Sequence, residues 1–331
     1  MSERARSLTE PWRLGAIQLP NRVLLAPLAG IGNWFVRLQA RRFGAALAVS
    51  EMVSSFAVHH RNERTLRELL RIHPDEHPVS VQLFGQDPGV MASAAERVAA
   101  AGADLIDINM GCPVPKVCKT GAGAALLSDP ARAVAIARAA ARGSGLPVTV
   151  KLRSGQRPGE TSGVEVARRL AFDGGVAAIT MHPRAAAQRH KGRPDYELVG
   201  SLVEELPVPV LLSGGLHDAG RVREAFARTG AAGVLLARGA LGNPWLFAEV
   251  LGRRAAAPSA EEVLDELDWV IERAVEHLGA ERAARYLRKF YPWYVERLGG
   301  GKALQAALQT APSLEAVRAL LGARRPVAAA A

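Results

Sequence analysis

Apolar residues recur along this chain in short runs separated by stretches with helical spacing. The runs cover residues 23–29, 47–53, 79–84, 105–110, 148–152, 178–182, 208–212 and 233–237. Several are almost continuous in Val, Ile and Leu, as expected of parallel strands covered on both faces. Helical patterns fall between them, at 88–101, 130–142, 164–173 and 218–229. Asp129 precedes Pro130, which places an N-cap before a proline at the first helical position. Gly102, Gly143 and Gly230 stand where three helices are predicted to stop. Eight strand–helix units in about 250 residues predict a TIM (β/α)8 barrel. The competing doubly wound sheet needs a G-x-G-x-x-G turn after its first strand, and Ala29-Gly30-Ile31-Gly32 does not supply one.

The pattern changes after Trp245. Residues 253–260 are small and polar, with Pro258 and Ser259 placed as linker and helix start. From 261 to 322 only helical periodicity remains, which predicts a small all-α domain. Its first helix presents Leu264, Leu267, Val270, Ile271, Ala274 and Leu278 as an apolar face. A second spans 280–298, where Pro292 should kink or split it, and a third spans 313–321 with Ser313 as cap. The chain thus divides into a barrel over 1–252, a helical domain over 253–325 and a disordered tail over 326–331.

Composition adds little until charge is counted. Of 331 residues, 49% are hydrophobic and 22% charged, which excludes wholesale disorder. No apolar run is long enough for a membrane span, and the charged N-terminus lacks a secretory signal, so a cytoplasmic protein is expected. Two cysteines make no disulfide scaffold. The net charge of +10, however, points to a polyanionic partner.

In a TIM barrel the chemistry sits at the C-terminal ends of the strands. Ser213-Gly214-Gly215 and Ala237-Arg238 end the last two, where glycine N–H groups and an arginine can receive a phosphate. Gln82, Asn109 and Lys151 interrupt apolar strands and together suit a heterocycle carrying carbonyl and N–H groups. Cys112 lies between Gly111 and Pro113 just past the fourth strand, placed to donate a proton or attack a substrate. Partners at zinc spacing for Cys112 and Cys118 are absent, so no metal is expected. His182 is open to the roles of base, cofactor contact or satisfied core imidazole. Arg184 and the basic run from Arg189 to Arg193 suit an anionic ligand over the mouth.

Ala26-Pro27-Leu28-Ala29-Gly30, Ser50-Glu51-Met52, Asp107-Ile108-Asn109-Met110-Gly111-Cys112-Pro113, Lys116-Val117, Gly121-Ala122-Gly123, Val150-Lys151-Leu152-Arg153 and Thr180-Met181-His182 occur in the order seen in tRNA-dihydrouridine synthases, and the chain resembles that bacterial, flavin-dependent family. The likeness runs from about residue 20 to 245 and continues more weakly through Arg288-Lys289-Phe290-Tyr291-Pro292-Trp293-Tyr294. It implies an FMN-bearing barrel followed by a helical domain that grips tRNA. By the resemblance, Pro27, Leu28 and Ala29 line the flavin ring, Gln82 meets its pyrimidine edge, Lys151 holds N1/O2, and His182 lies toward the phosphate. Ser213, Gly214, Gly215, Ala237 and Arg238 receive that phosphate. Asn109 faces the target uracil and Cys112 matches the proton donor. Arg184, Arg285, Arg288 and Lys289 are expected on the RNA path.

The sequence departs from the family's usual pattern at Gly32-Asn33, at Ser213-Gly214-Gly215, at Ala237-Arg238 and at Pro183. The implied activity is reduction of tRNA uridine to 5,6-dihydrouridine by NADPH or NADH through FMN, in a monomer that needs no membrane. The rival readings are a flavin barrel acting on a free pyrimidine and a tRNA-binding protein without redox chemistry. The basic helical appendage argues against the first.

Overall fold

The computed structural model describes residues 6–325. The chain divides into two compact units, Met1–Gly239 and Ala240–Ala331. The predicted tail at 326–331 lies outside the described residues.

The first unit is a closed parallel barrel. A hairpin of β1 (Trp12–Leu14) and β2 (Ile17–Leu19) precedes it. The barrel strands are β3 (Val23–Leu25), β4 (Ala48–Val49) with its continuation β5 (Val53–Ser54), β6 (Val79–Phe84), β7 (Leu105–Met110), β8 (Val148–Arg153), β9 (Ala178–His182), β10 (Val210–Ser213) and β11 (Gly233–Leu236). Each pairs in parallel with its neighbour, and β11 returns to β3 to close the ring. All eight predicted strands are present. The second is broken, because Ser50, Glu51 and Met52 leave the ladder between β4 and β5.

Side chains alternate across a strand, so Leu105, Asp107 and Asn109 share one face of β7, and Ala178, Thr180 and His182 share one face of β9. The lowest positions are apolar. Leu24, Leu105, Ala178, Leu211 and Leu235 form one cluster with Trp12, Leu14 and Leu19 of the hairpin. The hairpin, which the sequence pattern does not reveal, therefore floors the barrel. Burying each of its three large side chains contributes about 1.5–3 kcal/mol. Its turn requires Gly15, where φ is +58° and a Cβ would stand 2.9 Å from Pro147 Cβ. The polar residues collect on higher positions of the same faces.

One predicted helix stop is corrected. The helix Pro130–Ser144 runs through Gly143 and ends on Gly145, which takes the left-handed conformation. Gly143 instead meets helix Pro88–Ala100: a Cβ there would come 2.2 Å from the carbonyl oxygen of Ala92. Its smallness serves helix packing rather than termination.

The second unit is all helical. Helix Ala260–Leu278 starts in a capping box of Ser259 and Glu262 and buries Val263, Leu264, Leu267, Val270, Ile271 and Ala274 along one stripe. Helices Ala280–Leu287 and Tyr291–Arg297 are the predicted second helix, split with Pro292 in the first turn of the later piece. Gly301–Thr310 and Leu314–Gly322 follow. The unit begins at Ala240 and not at residue 253. A Cβ on Gly242 would lie 2.6 Å from Trp293 Cβ, so the segment before the predicted linker packs among the helices that follow it. Among the described residues no helix is long and apolar enough to cross a membrane.

Candidate functional site at the barrel mouth

Three of the residues singled out above meet inside the barrel. Gln82 is fully buried; its Nε2 donates to Asp107 Oδ2 at 2.6 Å and its Oε1 accepts from Asn109 Nδ2 at 2.9 Å. Asn109 Oδ1 in turn accepts the N–H of Cys112 at 2.9 Å and that of Gly111 at 3.2 Å. Asn109 is thus turned into the wall and holds the loop that carries the cysteine. Lys151 pairs with Asn109 across the β7–β8 ladder. Its ammonium makes no hydrogen bond or ion pair among the described residues. Burial, with Arg153 nearby, pulls its pKa down to about 8 against the opposing pull of Asp107 and Cys112.

Cys112 is partly exposed, and burial of its thiol raises the pKa above the ordinary cysteine value. The group therefore carries its proton at neutral pH, as an acid requires. Cys118 donates to the carbonyl of Cys112 at 3.3 Å and acts as a loop residue. Arg153, on the strand end beyond Lys151, is 4% exposed and staples three carbonyls: Gly111 at 3.0 Å, Ala185 at 3.2 Å and Arg189 at 2.8 Å. Neither this staple nor Asp107 is picked out by the sequence reading. The available signal is a charge at an inward position of an apolar strand, the same signal that marks Lys151.

On β9, His182 is 6% exposed, and burial drives its pKa far down, helped by Lys151 and Arg153. The imidazole is neutral. Arg184 Nη1 donates to its Nε2 at 3.2 Å, which leaves the ring proton on Nδ1. The other guanidinium nitrogens of Arg184 donate to the carbonyl of Gly192, so this arginine braces the basic loop from within. Gly214 has φ +99°, and a Cβ there would also stand 2.3 Å from the His182 ring, so both conformation and space require glycine. Tyr196 OH donates to the Gly214 carbonyl at 3.1 Å. The N–H groups of Gly214 and Gly215 donate to no acceptor among the described residues. Arg238, exposed after β11, likewise has no side-chain partner among them.

The Pro27-Leu28-Ala29 segment follows β3, with Leu28 buried and Ala29 exposed. Gly32 and Asn33 have structural roles. A Cβ on Gly32 would stand 2.7 Å from the Glu51 nitrogen, and Asn33 caps helix Trp34–Arg42 through the Val36 N–H. In the helical unit Arg285, Arg288 and Lys289 are exposed. Arg285 pairs with Glu281 at 2.7 Å, and Lys289 Nζ sits 3.7 Å over the Tyr286 ring. Tyr291 and Tyr294 are fully buried and belong to the core of that unit.

A family model described as dihydrouridine synthase (Dus) matches residues 24–323. The chain is 38% identical over 302 residues to tRNA-dihydrouridine synthase B of Pseudomonas aeruginosa, covering 89% of this chain and 90% of that protein. It is 36% identical over 318 residues to a probable tRNA-dihydrouridine synthase 1 of Synechocystis, covering 94% and 88%. Among solved structures it resembles morphinone reductase in complex with tetrahydroNAD, at TM-score 0.55 and 16% identity over 78% of this chain and 94% of that one, a likeness of fold. The extent of the family match, together with relatives aligned over nearly their whole length, makes this chain a member of the dihydrouridine synthase family.

Proposed function

We propose that the protein reduces the C5–C6 double bond of uridines in tRNA to 5,6-dihydrouridine, with electrons from NADPH or NADH passing through bound FMN. The observation that carries this reading is the presence, at one barrel rim, of a protonated Cys112 thiol in the loop just after β7 and a Lys151 ammonium without a partner on the neighbouring β8. The residues present fit FMN. The free N–H groups of Gly214 and Gly215 and the guanidinium of Arg238 suit its phosphate, and Lys151 suits the electron-rich N1/O2 edge.

FMN, when bound, supplies hydride transfer from the nicotinamide to C6 of the uracil. The chain's own residues do the rest. Cys112 delivers the proton to C5, its thiol held in place through Asn109. Lys151 counters negative charge at N1/O2. His182 offers an uncharged surface beside the phosphate loop, and Pro27, Leu28 and Ala29 a wall along the ring. Gln82, expected at the flavin edge, is instead 0% exposed and spends its amide on Asp107 and Asn109 behind that site. The target base must leave its stack, which costs roughly a few kcal/mol. Phosphate contacts from Arg288 and Lys289, with Arg285 beside them, offset that cost.

Cys112→Ala tests the assignment. The variant should retain FMN and still be bleached by NADPH, while dihydrouridine formation falls by about 10²–10⁴-fold. Wild-type rates of tRNA reduction in this variant would remove Cys112 as the acid. A purified protein without flavin absorbance would remove the redox reading altogether.

A further inference from the structure

Five polar groups in the barrel wall form a single hydrogen-bond chain. Thr149 Oγ1 donates to Asp107 Oδ1 at 2.6 Å, and Gln82 Nε2 to Asp107 Oδ2 at 2.6 Å. Asn109 Nδ2 donates to Gln82 Oε1, and Asn109 Oδ1 takes the N–H of Cys112. The direction of this chain is chemically forced. A carboxylate only accepts, a backbone N–H only donates, and each primary amide has one end of either kind. Asp107 at one terminus therefore turns the NH2 of Gln82 toward itself, which turns the oxygen of Gln82 toward Asn109, and so leaves the oxygen of Asn109 for the cysteine loop. Reversing either amide would bring two donors or two acceptors together where no water competes, since Gln82 is 0% and Asp107 3% exposed.

We infer that Asp107 is a positioning residue: acting through Gln82 and Asn109, it fixes the polarity by which the loop bearing Cys112 is held at the barrel mouth. The inference rests on the proposed uridine reduction for its functional meaning and deepens it, because it ties the residue offered as acid to one buried carboxylate. Burial raises the pKa of Asp107 to about 6, while the Thr149 and Gln82 donors and the Lys151 cation favour the carboxylate. The acceptor-only form that the chain needs is thus the form present above about pH 6.

The chain predicts rescue of Asn109→Asp by Asp107→Asn. Asp107→Asn alone can keep the wild-type direction, with its oxygen on Gln82 Nε2 and its NH2 on Thr149 Oγ1, which can accept; only the opposite setting reverses Gln82 and Asn109 and brings an NH2 against the Cys112 N–H. Asn109→Asp places an acceptor against Gln82 Oε1. In the double variant Asp107→Asn/Asn109→Asp every group is satisfied again with both partners exchanged. The experiment is hydrogen exchange at the Gly111 and Cys112 amides of the full chain, with NADPH-driven flavin reduction and tRNA reduction followed separately.

Asn109→Asp should lose protection at these amides by about tenfold or more, the scale of one buried hydrogen bond, and Asp107→Asn by less. Asn109→Asp should slow tRNA reduction far more than flavin reduction. The double variant should recover protection to within about threefold of wild type. Wild-type protection in Asn109→Asp would overturn the inference. So would a double variant no better than the worse single one, failure to fold included. Rescue of protection in a protein that never reduces tRNA would leave the loop polarity standing and remove the functional reading instead.

Discussion

The barrel unit and the helical unit use their polar residues in opposite ways. In the barrel, Gln82, Asp107, Asn109, Arg153, His182 and Arg184 are each at most 9% exposed, and most of their hydrogen bonds are spent on one another or on loop carbonyls. In the helical unit Arg285, Arg288 and Lys289 face outward, Arg285 pairs with Glu281 one turn away, and Lys289 lies over the Tyr286 ring. Buried groups of the first kind act through geometry, and their removal leaves unpaired partners in a low-dielectric wall. Exposed cations of the second kind act through counterion release, which is additive, insensitive to sequence and screened by salt. Most of the +10 lies outside the helical unit, which has 12 Lys and Arg against 10 Asp and Glu from 253 to 325, so any polyanion contact there depends on the local cluster at 285–289 and not on the unit's net charge.

The sharpest way to break this contrast is Arg153→Met. Losing two charge-assisted bonds to buried carbonyls and one to a part-buried carbonyl should cost about 3 kcal/mol or more, lower Tm by roughly 6–12 °C, and do so at any ionic strength. A Tm unchanged within error would mean the staple is dispensable. Arg238→Ala should leave the apoprotein stable but weaken FMN binding by about ten- to a hundredfold, and excess FMN should restore Tm by mass action. An unaltered FMN dissociation constant would put the phosphate elsewhere.

Lys151 sharpens the comparison through pH. Its pKa is lowered to about 8, so the cation is present below that value and lost above it. FMN affinity should therefore fall as pH rises through about 8, by up to about tenfold per pH unit at the limit. Lys151→Met should bind FMN more weakly and show no such step. A step that persists in Lys151→Met would belong to another group. Smallest at any one salt concentration is the effect of Arg288→Gln with Lys289→Gln. The double change should weaken tRNA binding uniformly across sequences and reduce the log–log salt slope by about two phosphate contacts' worth. NADPH-driven flavin reduction without tRNA should stay within error of wild type. Superimposable salt lines would make the pair an ordinary solvated face.

Much of this architecture is written locally. The barrel strands announce themselves as continuous apolar runs because both faces of a parallel strand are covered. Asp129 and Pro130 start a helix, as do Ser259 and Glu262, because capping involves only residues within one turn. Cys112 and Lys151 stand out as chemistry-bearing residues at strand ends, and the order of motifs identifies the family. Other features depend on partners far away in sequence. The floor hairpin is two strands of three residues, and its partners Leu24, Leu105, Ala178, Leu211 and Leu235 come from five different strands. Gly143 reads as a helix stop until Ala92 is seen beside it.

The sequence alone determined the alternation of strands and helices, the basic balance and the residue types available at the barrel rim, since periodicity, capping and charge are properties of neighbouring residues. Only the tertiary structure decided what those residues do with their hydrogen-bonding valence. Arg184 could as well have reached for substrate as for the carbonyl of Gly192, and Asn109 could have faced the mouth as well as the wall. Asp107, one inward charge among several in the sequence, became the terminus of a directed chain because β6, β7 and β8 bring Gln82 and Thr149 to its two oxygens, across 25 and 42 residues of sequence. A donor or acceptor is fixed by residue type, but which one it meets is fixed by strand register, and register exists only once the barrel has closed.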